Sequence, residues 1–306
     1  MRNFFAKKLY DHIKKNKKII LLSADIGNRL FDKIKNDFPN NFLNCGIAES
    51  NMVTFASGLA ARGYLPFCYT ITNFLIYKSV EQVRNDAIYN NNKIVLVGTG
   101  SGLSYNHLGP THHSLEDIGL INGLPNINIF SPADNNNLKY HLNFAISKKN
   151  KFSSYIRLGK KNEPNVSKVK LEIQKIEKIN AVKGSNIALV STGPLVEILK
   201  DVSLEIKKFL KVDVLNFHHL KPINFKKLNN DFKKYKKVYC LEEHYHTTGI
   251  YSILRVNLSN KVDVKSLNEN LNFVSKIGNR KFVRKEFGID KEKIIKIIIN
   301  DKKNRY

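Results

Sequence analysis

The chain has 306 residues, which is enough for two domains with separate hydrophobic cores. Its hydrophobic content of 42% is that of a globular protein, and no apolar run is long enough to span a bilayer. The net charge of +25 comes from dispersed lysines without a compact arginine-rich segment, and three cysteines without paired spacing exclude a disulfide framework or zinc site. We therefore expect a cytoplasmic protein that binds neither nucleic acid nor a membrane.

In the first half of the chain, short apolar runs alternate with helical patterns. The runs predicted as strands are 18–27, 64–72, 92–103, 127–134 and 153–160. Amphipathic patterns between them predict helices, among them one continuous helix over 74–92. Alternation of this kind predicts a mainly parallel sheet covered by helices on both faces.

The pattern stops at a charged stretch and then resumes. Residues 164–184 lack an apolar period and are the predicted linker. After them, strands are predicted at 186–193, 212–223 and 236–244, with helices between and after them. The predicted fold class is therefore α/β with two domains, each a mainly parallel sheet covered by helices. The predicted boundaries are 1–163, 164–184 for the linker, and 185–306.

A single acid lies within a small and apolar stretch, CGIAESNMVTFASGLAARG at 45–63. The apolar residues after Glu49 recur at helical spacing, so this acid falls near the start of a largely buried helix. A buried carboxylate is costly to desolvate and needs a specific partner. A first-turn glutamate that only faces the helix dipole is the alternative interpretation, and the segment alone leaves both open.

Two further motifs follow predicted strands. In GTGSG at 98–102, Leu103 takes the third glycine position of a dinucleotide fingerprint, so the motif does not predict a Rossmann site. In GPTHHSLED, the adjacent histidines at 112 and 113 point in different directions and make a poor metal pair. Phe74 and Tyr77, three residues apart, share a helix face that suits either a core or a stacked ring.

Taken in order, GIAE at Glu49, the aromatic pair, GPTH and SPAD resemble the pyrimidine-binding domain of transketolases and of 1-deoxyxylulose-5-phosphate synthases. DVLNFHHLKPI and YCLEEH resemble the C-terminal domain of the same family, so the resemblance covers almost the whole chain. The GPTH motif distinguishes this branch from the 2-oxoacid dehydrogenase and pyruvate–ferredoxin branches.

The resemblance implies a role for each matching residue. Glu49 matches the glutamate that bonds a ring nitrogen of the aminopyrimidine of thiamine diphosphate. Phe74 matches the aromatic that stacks on this ring, and Tyr77 lies beside it. His112 matches the histidine that hydrogen-bonds substrate oxygens and carries protons.

The resemblance also implies phosphate ligands. Arg157 falls where the family keeps an arginine for the sugar phosphate, and Arg2 matches a second one, with a frayed terminus as the alternative. Arg29 stands where the family often has serine and adds another basic ligand. Arginine suits this task because its guanidinium binds phosphate in a bidentate manner.

Two departures concern the sugar. Full-length transketolases keep a histidine at the position of Gly100 and an aspartate at that of Leu108. Both are absent here, although His107 is adjacent and could substitute. We therefore expect ketol transfer on a less common sugar than the usual pentose and hexose phosphates.

The family holds the diphosphate and a divalent metal, Mg²⁺ or Ca²⁺, through a GDG…N element that this sequence lacks. The resemblance thus implies the C-terminal subunit of a split transketolase, in which a partner subunit holds the diphosphate and metal, with two copies of each subunit. The alternatives are a split deoxyxylulose-phosphate-synthase-like or other acyloin-forming enzyme, and a non-catalytic paralogue paired with an active partner. The retained Glu49, Phe74 and His112 favour an enzyme.

Overall fold

The computed structural model describes residues 1–160, 163–167 and 171–303. Parts of the predicted linker (168–170) and of the predicted second domain (304–306) lie outside the described residues. Within the described part, the strands are β1 (Ile19–Ser23), β2 (Phe42–Asn44), β3 (Leu65–Ile71), β4 (Val95–Thr99), β5 (Ile127–Phe130), β6 (Ser153–Leu158), β7 (Glu177–Asn180), β8 (Ile187–Ser191), β9 (Asp213–Asn216), β10 (His219–Lys221), β11 (Lys237–Leu241) and β12 (Asp263–Ser266).

The strands form two sheets. Among the described residues, the first sheet has seven strands in the order β10-β5-β6-β4-β3-β1-β2, all parallel except β10, which pairs antiparallel with β5. The second has five, in the order β12-β11-β8-β9-β7, with only β7 antiparallel. The predicted α/β architecture of two mainly parallel sheets is confirmed.

Helices connect the strands. Those of the first half are α1 (Arg2–Lys15), α2 (Asp32–Asp37), α3 (Glu49–Ala61), α4 (Thr72–Tyr77), α5 (Val80–Gln82), α6 (Asp117–Asn122) and α7 (Asn135–Ile146). Those of the second half are α8 (Val196–Ile206), α9 (Phe225–Phe232), α10 (Ile250–Asn257), α11 (Arg280–Phe287) and α12 (Lys291–Lys303). Single 3₁₀ turns lie at Pro39–Asn41, Pro110–His112 and Gly193–Leu195, and a π-helical segment lies at Val83–Tyr89.

The first sheet is buried on both faces, as its continuous apolar strands predict. Side chains of β1 alternate between two cores: Ile19 and Leu21 join one, and Ile20 and Leu22 join the other. Helices α1 and α7 cover the first face, whereas α3 and α6 cover the second. The second core continues into the other domain, because it also contains Val190 of β8.

Three predicted elements differ from the structure. The continuous helix predicted over 74–92 is broken into α4, α5 and the π-helical segment, because the Ser79 hydroxyl donates to the Leu75 carbonyl and competes with the helical ladder. The strand predicted at 212–223 is two strands, and its second part, β10, crosses to the first sheet. Strand β7 lies within the predicted linker and pairs with β9 in the second sheet. The domain boundaries themselves stay predictions.

Candidate active site

The carboxyl ends of three neighbouring strands converge at one edge of the first sheet. Helix α4 follows β3 directly, Gly100 follows β4, and Lys160 lies two residues after β6. Strands β3, β4 and β6 are adjacent and parallel, so the residues after them meet in space. Open α/β sheets bind ligands at this edge.

Glu49 is the first residue of α3 and is 3% exposed, which confirms its predicted position at the start of a buried helix. Its Oε2 accepts a hydrogen bond from Lys78 Nζ at 3.1 Å. The Lys78 side chain is half-exposed at 49%, so the ammonium closes the acid off from solvent without being buried itself. This ion pair gives the buried carboxylate the partner that its desolvation requires.

Phe74 lies next to the same lysine on α4. The Lys78 ammonium is 4.9 Å from the centre of the Phe74 ring. On its other side, Phe74 meets the His112 ring edge to face, with centroids 5.0 Å apart. The Asn73 amide donates to the carbonyl of Thr111 and so ties α4 to the turn that carries His112. Lys78 and Phe74 therefore connect Glu49 to His112 in one cluster, and the roles predicted for these residues stay predictions.

Tyr77 has a different environment. Its hydroxyl donates to the Glu116 carboxylate and accepts from the Glu116 backbone N–H at 3.3 Å. Burial, together with the charge of Asp117, raises the pKa of this phenol. The hydroxyl is therefore engaged with the start of α6, and the predicted cofactor contact of Tyr77 stays a prediction.

His112 lies on the 3₁₀ turn Pro110–His112 and is half-buried. Its Nδ1 is 3.0 Å from the Thr111 hydroxyl. Burial lowers the pKa of His112, and the nearby His107 and Lys160 lower it further. Because the ring is mainly neutral near pH 7, one ring nitrogen can accept a proton. His107 is exposed beside it.

Tyr105 is a residue that sequence reasoning missed. Its ring lies 5.9 Å from that of His112, and the Lys160 ammonium is 4.3 Å from the Tyr105 ring centre. A Cβ added to Gly100, whose φ is +76°, would lie only 1.9 Å from the Tyr105 ring. Tyr105 thus fills the space beside Gly100. Gly100, which leaves room for a neighbouring side chain, was the sequence feature that could have indicated Tyr105.

Arg2 and Arg29 line one surface cavity of about 760 Å³, together with Lys7, Lys33 and the acid Asp11. Arg2 is the first residue of the regular helix α1, and its phosphate role stays a prediction. Its Nε is buried and has no hydrogen-bond partner among the described residues. Burial raises the pKa of Tyr105, and the charge of Arg2 opposes this rise, so Arg2 lies within electrostatic range of Tyr105.

Arg157 lies apart from that cavity. The residue is 3% exposed, and its Nε donates to Asp117 at 2.7 Å. Another nitrogen donates to the carbonyls of Ser114 at 3.0 Å and Glu243 at 3.1 Å. This buried and paired environment does not favour the phosphate role predicted for Arg157. Lys160, three residues later, is the cation that reaches the cluster.

Neither a metal-binding cluster nor a membrane-spanning helix occurs in the described part of the chain. Across residues 1–160, 163–167 and 171–303, no group of three or more histidine, cysteine, aspartate or glutamate side chains could hold a metal ion. None of the helices within these ranges is long and apolar enough to cross a membrane.

Comparison with known proteins defines the class. Residues 1–165 match the family described as transketolase, pyrimidine binding domain, and residues 177–294 match transketolase, C-terminal domain. The two matched segments follow each other in the order that the motifs predict. The chain therefore belongs to the transketolase family, which confirms the resemblance.

Individual relatives add the extent of the match. An apulose-4-phosphate transketolase subunit of Actinobacillus succinogenes is 32% identical over 268 residues, 86% of each chain. A putative transketolase C-terminal section of Methanocaldococcus jannaschii is 26% identical over 99% of this chain and 96% of its own. Human transketolase is 26% identical, but the match covers only 45% of its length.

A solved structure agrees in fold. A split-gene transketolase, described as an inactive β4 tetramer, superposes with a TM-score of 0.82 at 23% identity and covers 98% of this chain and 96% of that one. At this identity the likeness establishes the fold alone. The chain thus spans nearly the whole length of the split relatives and about half of a full-length transketolase.

Proposed function

We propose that this chain is the C-terminal subunit of a split transketolase that transfers a two-carbon ketol unit between sugar phosphates. The observation that carries the proposal is the match, over 86% of both chains, to a relative named as one subunit of a transketolase. The cluster of Glu49, Phe74 and His112 supports it, because a subunit with only a binding role has no need of a buried acid at this position.

Thiamine diphosphate, which membership of the family implies, fits the residues present. The Lys78 ammonium already lies between the Glu49 carboxylate (3.1 Å) and the Phe74 ring (4.9 Å), so a nitrogen donor on a flat ring suits the same two partners. In this assignment Glu49 bonds the aminopyrimidine and Phe74 stacks on it. When bound, the cofactor supplies the electron sink for carbon–carbon cleavage.

His112 is assigned to the substrate. Its lowered pKa keeps the ring neutral, so it accepts a proton from a sugar hydroxyl and returns it during ligation. The exposed His107 stands next to it and is a second hydrogen-bonding group for the sugar. The Tyr105 ring lies 5.9 Å from that of His112 and borders the proposed sugar position.

Phosphate binding is assigned to the cavity lined by Arg2 and Arg29. Two guanidinium groups, one with a buried Nε that lacks a partner among the described residues, provide bidentate donors for a phosphate. Lys160, whose ammonium lies over the Tyr105 ring, is a further cation that this assignment includes. Arg157 is left out of this set because its donors bind Asp117 and two carbonyls.

The remaining parts of the active site are assigned to a second chain. The sequence lacks the GDG…N element, so we propose that a diphosphate-binding partner subunit holds the diphosphate and a Mg²⁺ or Ca²⁺ ion. Two copies of each subunit form the proposed assembly, and activity requires both. The cytoplasmic location stays a prediction.

The test is reconstitution of the chain with the partner subunit, thiamine diphosphate and Mg²⁺, followed by a scan of phosphorylated ketose donors. Glu49→Gln should reduce turnover about 100- to 10,000-fold, as expected for loss of a proton-transfer partner. Glu81→Gln, an exposed acid of α5, is the matched control and should leave turnover unchanged. Full activity in Glu49→Gln would sink the assignment. Pyruvate decarboxylation without ketol transfer would favour the synthase-like alternative.

A further inference from the structure

The loop that follows β4, residues 100–113, has the 3₁₀ turn Pro110–His112 as its one helical segment. Three of its glycines have positive φ: Gly100 at +76°, Gly102 at +61° and Gly109 at +75°. These are conformations that glycine adopts without strain. The loop carries Tyr105 and His112, so its shape determines where both side chains lie.

A carboxylate from the second domain holds this loop. Glu243, two residues after β11, is 5% exposed, and its Oε2 accepts a hydrogen bond from the backbone N–H of Leu103 at 3.2 Å. A Cβ on Gly102 would come within 2.5 Å of the same oxygen, so the carboxylate packs directly on the bare glycine backbone. Gly102 in turn forms a β-bridge with Ser114, which lies two residues beyond His112.

Two arginines hold the Glu243 carboxylate. Arg284 Nε donates to Oε1 at 2.6 Å, and an Arg280 nitrogen donates to Oε2 at 3.2 Å. Burial raises the pKa of Glu243, but the charges of Arg280 and Arg284 outweigh it and hold the pKa at about 2. The group is therefore ionised at all physiological pH values, and its hydrogen bond to Leu103 is of the stronger, charge-assisted kind.

The same domain holds the loop at further points. The Asn106 side chain donates to the carbonyl of Gly278, and the Gly278 N–H donates back to the Asn106 carbonyl at 3.2 Å. Arg157 donates to the carbonyls of both Ser114 and Glu243. The loop is thus fixed on both sides of Tyr105. Glu243 holds Leu103 on one side, and Gly278, just before α11, holds Asn106 on the other.

We propose that Glu243 is a positioning residue: its carboxylate, held by Arg280 and Arg284, clamps the Gly102–Leu103 backbone and thereby sets the position of Tyr105 and His112 for the substrate. The second domain then contributes to the site without touching the reacting atoms. The catalytic part of this inference rests on the proposed function, whereas the clamp itself does not.

The test compares Glu243→Gln with Glu205→Gln in the full chain bound to its partner subunit. Glu205 lies on α8 of the same domain, pairs with Lys291 and is exposed, so it controls for loss of an acid remote from the loop. Amide hydrogen exchange is measured without substrate or cofactor. Glu243→Gln should exchange at least about tenfold faster over residues 100–114, while α3 and the control stay at the wild-type rate. Unchanged exchange over 100–114 would overturn the clamp.

The second arm measures kinetics and cofactor affinity in the same variants. Glu243→Gln should lower kcat/KM for the ketose about 10- to 100-fold, since small displacements of catalytic groups cost this much. Its Kd for thiamine diphosphate should stay within about twofold of wild type, because Glu49 and Phe74 lie outside the clamp. Faster exchange with normal kcat/KM would contradict a positioning role. A loss of cofactor affinity as large as the loss of kcat/KM would contradict it as well.

Failure of the clamp can be distinguished from failure of the proposed function and from failure of the variant to fold. If the wild-type complex shows no ketol transfer, the proposed function fails, and the exchange arm still decides the clamp. If Glu243→Gln does not fold, Arg280→Gln on a side chain that is 27% exposed replaces it. That variant should show faster exchange over 100–114 by about threefold, and exchange at the wild-type rate would overturn the clamp.

Discussion

Two polar clusters lie near the same edge of the first sheet, and they differ in how their groups are satisfied. In the site, Glu49 has a half-exposed lysine as its partner, and the Phe74 and His112 rings remain half-buried. In the interdomain cluster, Asp117 and Arg157 are buried and bonded to each other at 2.7 Å. The first cluster can exchange its partners for a ligand, whereas the second cannot without leaving a buried charge unpaired.

The difference explains why charge type alone does not identify a ligand site. Arg157 and Arg2 are both arginines for which the resemblance to transketolases predicts a phosphate role. The donors of Arg157 bind Asp117 and the Glu243 carbonyl of the second domain. Arg2 instead lines a basic cavity, and its buried Nε has no partner among the described residues. The comparison predicts that variants of the interdomain cluster alter stability, and that variants of the site alter binding and turnover.

The largest effect on stability is expected for Arg157→Met. It leaves Asp117 buried and uncompensated, so the free energy of unfolding should fall by about 3–5 kcal/mol in urea denaturation. Arg255→Met, on an exposed position of α10, should change it little. Wild-type stability combined with a raised KM for phosphorylated ketoses alone would instead restore the phosphate role of Arg157.

A pH effect is expected where β10 joins the first sheet. Burial lowers the pKa of His218 to about 4, and burial together with the neighbouring His218 lowers that of His219 to about 3. Below pH 6.5 both histidines become protonated in the unfolded chain, whereas in the folded chain they stay neutral until the pH is much lower. The contribution of these two histidines to the free energy of unfolding is therefore fully present above pH 6.5. It is lost as pH falls toward 3, with a slope of up to about 1.4 kcal/mol per pH unit for each histidine.

The variant that isolates this effect is His219→Gln, because the glutamine oxygen can accept the Gln174 N–H that His219 Nδ1 accepts at 3.0 Å. Its unfolding free energy, measured by urea at each pH, should fall less steeply below pH 6.5 than that of the wild type. Asn40→Gln, at an exposed position of the 3₁₀ turn Pro39–Asn41, is the control with an unchanged slope, because neither side chain titrates. Equal slopes in His219→Gln and wild type would refute the assignment.

The smallest effect is expected for Lys78→Met in the site. Binding of the cofactor between Glu49 and Phe74 must displace the Lys78 ammonium from the carboxylate. An ion pair of this exposure is worth about 0.2–1 kcal/mol, so its removal should lower the Kd for thiamine diphosphate by up to about fivefold. Lys14→Met, on an exposed position of α1, should leave the Kd unchanged. Weaker binding in Lys78→Met would show that the lysine assists the cofactor.

Local patterns were sufficient to predict most of the fold and to select the residues of the candidate site, whose roles stay predictions. Apolar runs and helical periods predicted the two sheets, and the small residues after Glu49 predicted its place at the start of a buried helix. Phe74 and His112 followed from motif order, and the structure places their rings 5.0 Å apart.

The remaining features depend on residues far apart in sequence. The burial of Arg157 depends on Asp117, which lies 40 residues away, and no pattern around either residue encodes the pair. Tyr105 occupies the space that Gly100 leaves, and this requires the turn between them to be known. The apolar run at 212–223 looks like one strand, but β10 pairs with β5 of the first sheet. This pairing depends on tertiary contacts that the local pattern does not encode.

The central claim is that Glu49 and Phe74 form only half of a cofactor site. Isothermal titration calorimetry of thiamine diphosphate with Mg²⁺, on this chain alone, on the partner subunit alone and on the two together, tests it most directly. The mixture should bind the cofactor at least about 100-fold tighter than either chain alone, a difference of about 2.7 kcal/mol. Binding by this chain alone that equals binding by the mixture would contradict it.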